Sequence, residues 1–374
     1  MATISDGAKR ELIQAVSERY RAASKAEKRH ILDEFVALTA YHRKHAIRVL
    51  GGSSSSVGGP KRPRSRVYDE AVREALIVFW EASDRICGKR LKPLLPVLLE
   101  ALERHGHLRL DAQVRARVLE VSAATIDRLL AGPRVTARGR RSRARAKPAI
   151  RRSVPVRTFA DWKDPVPGYV EADLVAHCGE SVAGSFSYTL VLTDIASAWT
   201  ECVALLVREG TLIVDAIDRM RTAMPFVLRG IDTDNGSEFV NEALLAYCTQ
   251  QDIELTRSRP YRKNDQAWVE QKNGSVVRRL AGYGRLEGIR AVEALGRLYT
   301  SSRLFVNFFQ PSFKLAEKTR FGARVSKRYH APETPCARLL ASPDISEPTK
   351  ERLRAVLLSL DPLRLLDEIR TVQH

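Results

Sequence analysis

Three acidic residues in the second half of the chain, Asp173, Asp234 and Glu270, stand where the sequence pattern ends or begins an element. Asp173 lies among apolar neighbours in the strand-like run Tyr169-Val-Glu-Ala-Asp-Leu-Val-Ala176, and Asp234 closes the strand-like run Val227 to Asp234. Glu270 falls in Asn264-Asp-Gln-Ala-Trp-Val-Glu-Gln-Lys-Asn273, which opens a helix. Carboxylates gathered closely repel one another, and hard divalent cations, which prefer oxygen ligands, relieve that repulsion. Two such ions can activate an attacking hydroxyl and stabilise the departing one on a phosphodiester.

The elements that must position these groups follow in a definite order. After Trp162 come three strand-like runs rich in β-branched and aromatic residues: Tyr169 to Ala176, Tyr188 to Asp194 and Trp199 to Val207. Helix-like Thr211 to Met224, strand-like Val227 to Asp234, helix-like Ser237 to Gln251 and strand-like Ile253 to Thr256 complete the series. Three consecutive strands and then alternation imply an α/β fold, a mixed sheet flanked by helices. In such a sheet the first and fourth strands can lie side by side, so a helix returning across them brings Glu270 near both aspartates. Asp232 shares a strand face with Asp234 and is its rival for the middle position. Asp194 is expected to cap the turn into Ile195-Ala-Ser197, and Asp215 and Asp218 to be solvated on an amphipathic helix. Glu171 and His177 flank Asp173 and are candidates to support it, while Trp268 reads as a core anchor.

The motifs around these residues resemble the DDE transposase and retroviral integrase superfamily, and more closely the transposases of bacterial insertion sequences. Asp234-Asn-Gly-Ser-Glu-Phe239 is similar to the superfamily's second-aspartate motif, and Pro260-Tyr-Arg-Lys-Asn-Asp-Gln-Ala-Trp-Val-Glu270 to the loop leading to its glutamate. The 35 residues between Asp234 and Glu270 are the interval that marks the family, and Asp173 takes the first position. The resemblance covers roughly residues 165–290. It implies an RNase H-like integrase core with a mixed five-stranded sheet, catalysis by Asp173, Asp234 and Glu270, and two Mg2+ or Mn2+ ions held by the same three carboxylates. It also implies that Asn235, Gly236 and Ser237 sit against the target strand, and that Tyr261, Asn264 and Gln266 line a loop beside the scissile phosphate. Integrases carry a lysine one turn after the glutamate; here that position is Gly274, and Lys272, Arg278 and Arg279 are the nearest basic candidates to grip a phosphate.

Charge is distributed unevenly. Residues 1–150 hold 31 Lys and Arg against 16 Asp and Glu (31 − 16 = +15), whereas residues 151–374 hold 31 against 28 (31 − 28 = +3). A front so basic points to a polyanionic partner, because cations that displace condensed counterions from phosphates gain free energy. Apolar Ile31, Phe35 and Leu38 follow helical spacing, and a second helical run, Ala40 to Leu50, follows almost without a connection, as in a helix-turn-helix. That second run offers Arg43, Lys44 and Arg48 to DNA, although an ordinary solvated basic helix would look the same. A further helical region, Tyr68 to Leu130, ends in a second apparent helix-turn-helix, with Ser122 as N-cap and Arg128 facing outward. The stretch Arg134 to Arg157, which includes Arg140 and Arg141, holds ten Lys or Arg and no acidic residue, as expected of an arm that tracks DNA.

The expected organisation is an N-terminal helix-turn-helix domain (1–52), a flexible linker (53–67), a second helical DNA-binding domain (68–132), a basic linker (133–160), the catalytic core (161–288) and a helical, basic extension (289–374). Five scattered cysteines give no zinc or disulfide spacing, and no run is apolar enough to span a bilayer, so a cytoplasmic, nucleoid-associated protein without a membrane role is expected. The partners expected are double-stranded DNA, both terminal inverted repeats and target, and further copies of the chain in a dimeric or tetrameric synaptic complex. The competing expectation is a DNA-binding regulator descended from a transposase, with its carboxylates idle.

Overall fold

The computed structural model describes residues 6–52, 67–136, 156–157, 165–234, 236, 238–239, 241–258, 266–321 and 324–373. They fall into two compact units, residues 1–67 and 68–374.

The first unit is built from α1 (Asp6–Ala22), α2 (Lys25–Thr39) and α3 (Arg43–Leu50). Ser24 starts α2 through a reciprocal capping box with Glu27, each side chain satisfying the other's backbone N–H. Ala40 ends it in the left-handed region at φ 56°, and only residues 40–42 separate α2 from α3, as the sequence pattern predicts. Tyr20, Ile31, Leu32, Phe35, Ala46 and Leu50 form the core of this unit. Leu38, which the helical spacing assigned to the buried face, is instead 57% exposed.

The second unit centres on a mixed sheet in the order β1-β6-β5-β2-β3-β4. Its five principal strands are β2 (Tyr169–Ala176), β3 (Tyr188–Asp194), β4 (Thr200–Leu205), β5 (Gly230–Thr233) and β6 (Glu254–Ser258), and the two-residue β1 (Val156–Arg157) adds a sixth at the edge. The meander β2-β3-β4 is antiparallel, whereas β5 runs parallel to both β2 and β6. The parallel pairings need crossovers, supplied by α9 (Gly210–Ala223) and α10 (Glu242–Gln250). Those helices cover one face of the sheet, burying Val170, Ala172, Leu190, Leu192 and Ile231 against Ile213, Ile217, Met220 and Leu244. The other face takes α11 (Ala267–Lys272), whose Val269 packs on Val175 and Val191. A five-residue π-helical turn (Asn273–Val277) and α12 (Arg278–Ala281) follow without a break.

Helices α4 (Glu70–Ala82), α5 (Gly88–Arg104), α6 (Ala112–Glu120), α7 (Ala123–Leu129) and α8 (Ala131–Thr136) precede the sheet, and Ser122 caps α7 by accepting from Thr125 N. The segment 68–132, expected as a domain of its own, shares one hydrophobic core with α13 (Gly288–Phe309), α14 (Pro335–Ala341), α15 (Glu347–Ser359) and α16 (Pro362–Gln373). Helix α5 lays Leu91, Leu94, Leu95, Leu98, Leu99 and Leu102 along one broad apolar stripe, at the i, i+3, i+4, i+7 spacing, and that stripe joins the core the preceding helices share with the C-terminal ones. The final helix packs on α13 of its own chain through Leu365, Leu366 and Ile369. Between α13 and α14 lies a separate two-stranded ribbon, β7 (Leu315–Phe321) and β8 (Arg324–Tyr329), within the segment expected as a helical, basic extension. No helix among the described residues is long and apolar enough to cross a membrane.

Candidate active site

The pairing of β2 with β5 fixes where the aspartates stand. Ala172 is opposite Thr233 in this parallel ladder, so Asp173 and Asp234 follow on the next rung of neighbouring strands. Both are half-buried. Asp234 turns back on its own loop and accepts from Gly236 N at 2.8 Å, a contact made where a Cβ on residue 236 would meet the Glu238 carboxylate at 2.7 Å. Asp173 accepts from Leu174 N at 2.8 Å and, through its other oxygen, from Asn273 Nδ2 at 2.6 Å.

Glu270 reaches this place on α11, which returns across the sheet after β6. The start of α11 is held from below by Glu171, two residues before Asp173 on the same strand face. Glu171 is fully buried and accepts from Val269 N at 2.8 Å, so a strand carboxylate satisfies one of the orphan donors of the helix that carries Glu270. Gln266, also buried, donates long hydrogen bonds of 3.4 Å to the carbonyls of Ala172 and Asp232, tying the entry to α11 across both strands.

The electrostatics of the cluster follow from crowding in a dry place. Burial pushes the Asp173 carboxyl up to about 7, and the neighbouring Asp234 and Glu270 push the same way, against the stabilising bonds from Leu174 and Asn273. Burial also raises Asp234. Glu171 is raised well above the carboxylate range by its burial, with Asp232 and Glu270 adding to the effect. Among the described residues, however, no group of three or more His, Cys, Asp or Glu is tight enough to hold a metal as it stands. The donor set of Asp173 and Asp234 has the chemistry a hard cation needs, oxygen only and mutually repelling, while Glu270 is exposed and approaches without closing the cage.

The rival and supporting residues sort out clearly. Asp232 is buried and accepts from Thr256 Oγ1 at 2.6 Å, an internal bond between β5 and β6. Asp194 caps the turn as expected, accepting from Gly168 N, Ser197 N and Ser197 Oγ. Asp218 is not simply solvated: it accepts from Tyr247 OH at 2.8 Å and joins α9 to α10. His177 is buried and shares a chain of hydrogen bonds, His177 Nε2 to Thr189 Oγ1 at 2.8 Å and Thr189 Oγ1 to Tyr299 OH at 2.7 Å, so it packs the sheet against α13.

The basic residues expected beside Glu270 are placed differently. Lys272 is only 4% exposed, on the side of α11 turned toward Cys202, Arg90 and Arg338, where burial brings its ammonium down to about 7. One residue is 100° of helix, so Lys272 points about 200° away from Glu270 and inward. Arg278 donates to the Ala176 carbonyl at 2.8 Å, and Arg279 is ion-paired with Asp84. The residue one turn beyond Glu270 that does address the site is Asn273, at the first position of the π-helical turn, a distortion often found at functional sites. The spacing of three from Glu270 was its only signal in the sequence.

Arg43, Lys44, Arg48 and Arg128 are exposed; Arg43 is ion-paired with Asp33, and Arg128 donates to Thr125 Oγ1 at 2.9 Å. Asn235, Ser237, Tyr261, Asn264, Arg140 and Arg141 lie outside the described residues.

Comparison with known proteins bears on this geometry. The model of the family described as "Integrase core domain" matches residues 165–263, a span that contains both aspartates and ends just before Glu270. A protein of Sinorhizobium fredii (strain NBRC 101917 / NGR234) designated "Uncharacterized protein y4rM" is 60% identical over 336 residues, 90% of this chain and 96% of the relative. Among solved structures, the catalytic core domain of HTLV-2 integrase in complex with magnesium (dimeric form) matches 40% of this chain and 93% of its own, at 15% identity and a TM-score of 0.31. The catalytic core domain of BIV integrase matches 31% of this chain and 70% of its own, at 18% identity and a TM-score of 0.26. With an integrase core around its aspartates and y4rM alike along almost its whole length, the chain belongs to the family of y4rM within the DDE transposase and retroviral integrase superfamily.

Proposed function

We propose that this protein is a DNA transposase that cuts the ends of its element and joins the freed 3′-hydroxyl to target DNA. The observation that supports the reading is that Asp173 and Asp234 each directly follow the last paired rung of β2 and β5, Ala172 with Thr233, while Glu171 on β2 accepts from Val269 N of the helix that carries Glu270. Asp173, Asp234 and Glu270 would hold two divalent ions, the aspartates bridging or separately ligating them and Glu270 completing the second site. Such ions lower the barrier for in-line attack on phosphorus by activating the incoming hydroxyl and neutralising the leaving oxygen, which serves strand cleavage and strand transfer alike.

The chain's own residues do the positioning. Asn273 fixes one oxygen of Asp173 and so sets which lone pairs face the open side. Gly236 allows the backbone after Asp234 to come close to a bound strand, since its N–H already points at the carboxylate. The exposed cations of α3 and α7, Arg43, Lys44, Arg48 and Arg128, are proposed to contact the terminal repeats, and the synapsis of two ends calls for two or more copies of the chain.

The test is incubation of the protein with labelled terminal-repeat duplex and Mg2+. Nicking at the 3′ end of the element and a strand-transfer product are expected, and absence of both refutes the reading. Asp234→Asn separates it from a regulator with idle carboxylates: the reaction is lost while duplex binding is retained, because the amide keeps the shape of the half-buried acid and removes its charge.

A further inference from the structure

Four polar side chains lie in one row across the sheet, on the face that α11 covers: Thr193 on β3, Glu171 on β2, Asp232 on β5 and Thr256 on β6. The ladders fix this order. Glu171 is opposite Thr193 in the antiparallel pair and opposite Asp232 in the parallel one, and Asp232 is opposite Thr256. Residues opposite one another on paired strands project from the same face, on strands about 4.8 Å apart. All four are at most 1% exposed.

Both carboxylates of the row are held in place from one side. Glu171 accepts from Val269 N at 2.8 Å through Oε2, and Asp232 accepts from Thr256 Oγ1 at 2.6 Å. Glu171 Oε1 and Thr193 Oγ1, by contrast, have no hydrogen-bond partner among the described residues, although they belong to side chains directly opposite in the ladder. A hydroxyl can donate to a carboxylate, so this pair is not using the bond its register offers. Polar atoms left so in a dry place are costly, and native interiors satisfy nearly all of them.

The composition of the row says what would satisfy it. Like charges directly opposite on paired strands destabilise the pair, and buried charge is tolerated where it is paired or coordinates a metal. The donors are oxygen only, the set that hard cations prefer, and two carboxylates match the charge of a divalent ion. Ions of the Mg2+ class are held by one or two carboxylates and keep several waters, which a neighbouring hydroxyl can bond.

We propose that Glu171 and Asp232 bind one divalent cation of the Mg2+ class, with Thr193 Oγ1 bonded to a water of that ion. It is distinct from the ions of the catalytic carboxylates. Glu171 and Asp232 each stand two residues, about 7 Å of strand, before Asp173 and Asp234, whereas the two ions of a phosphoryl-transfer pair lie about 4 Å apart. Its work is structural. The ion ties β2 to β5 beneath the catalytic aspartates and fixes the carboxylate that receives Val269 N, so the rotation of α11 is set before any substrate arrives.

The test counts Mn2+ bound to the full chain, without DNA, from the electron paramagnetic resonance signal of the free ion. Asp173→Asn/Asp234→Asn disables the catalytic set and is expected to keep one bound Mn2+. Adding Glu171→Gln, which retains an acceptor for Val269 N, removes that ion; binding is the readout because glutamine also relieves the crowding with Asp232. Adding Thr193→Val instead weakens Mn2+ binding by about 10–100-fold, as loss of a group that orients a metal's ligands does. Valine keeps the branched shape and Thr193 Oγ1 has no protein partner to lose, so the ion-free Thr193→Val protein should melt no lower than its background. A chain with Asp173→Asn/Asp234→Asn that binds no Mn2+ overturns the inference, as does an affinity that Glu171→Gln leaves unchanged. If Glu171→Gln fails to fold, Thr193→Val decides alone, and an affinity within about twofold of its background overturns the inference. Because no DNA is present, a failure to cut or join strands bears on the proposed function and not on this site.

Discussion

Glu171 offers a quantitative test of how the third carboxylate is held. Its side chain is fully buried beneath α11 and accepts from Val269 N at 2.8 Å, with Val269 itself buried. Glu171→Ala leaves that N–H without an acceptor in a dry place, costing about 1–3 kcal/mol, and removes one buried methylene worth about 0.8 kcal/mol. Relief of the repulsion with Asp232, its partner in the ladder, offsets part of this, so a net destabilisation of about 2 kcal/mol is expected. For a unit of about 300 residues this lowers the melting temperature by about 3 °C. Glu171→Gln keeps an acceptor for Val269 N and gives Asp232 a donor, and should stay within about 1 kcal/mol of the parent. Thermal unfolding of the three proteins, with the strand-transfer assay run on each well below its melting temperature, reads both consequences. Activity should drop about tenfold in the alanine variant, with kcat falling more than affinity for DNA, and should largely return with glutamine. Equal behaviour of the two variants, or an alanine variant as stable as the parent, would refute the anchoring of α11 by Glu171.

Other expectations are simpler to check. Asn273→Ala removes the 2.6 Å donor to Asp173 and should cut strand transfer about tenfold, equivalent to about 1.4 kcal/mol, with no change in duplex affinity; unchanged rates would show that Asp173 needs no such restraint. Asp234→Asn should remove cleavage and joining below detection, and residual activity near the parent's would take Asp234 out of the site. His177 is kept neutral by burial, its imidazole brought down to about 4, so the folded chain resists a proton that the unfolded chain accepts near pH 6.5. The sign follows: this contribution is intact above pH 6.5 and is lost progressively toward pH 4, by at most about 3 kcal/mol. In urea titrations His177→Gln should lose less stability over that window than the parent, and parallel curves would contradict the assignment. Leu366→Ala on α16 should destabilise the second unit by about 2–5 kcal/mol, measurable by urea unfolding, because Leu366 is buried against its own chain. A loss confined to self-association would instead make α16 a subunit contact.

The sequence by itself determined the strand runs of the core. Tyr169–Ala176 and Tyr188–Asp194 are read to the residue, because β-branched runs bounded by turn chemistry are local signals. The same locality made Ser122 a legible cap. Only the tertiary structure decided which groups face one another. That Glu171 anchors α11, that Asn273 holds Asp173, and that Lys272 turns inward toward Cys202 each depend on the rotation of one short helix over the sheet, which no spacing rule fixes. The merging of residues 68–136 with the C-terminal helices is of the same kind: an apolar stripe declares that a helix is buried, not which distant helix covers it. Likewise charged residues fall on both alternating faces of 315–321 and 324–329, so no apolar alternation announced the ribbon, and only cross-strand pairing set position 318 opposite 327.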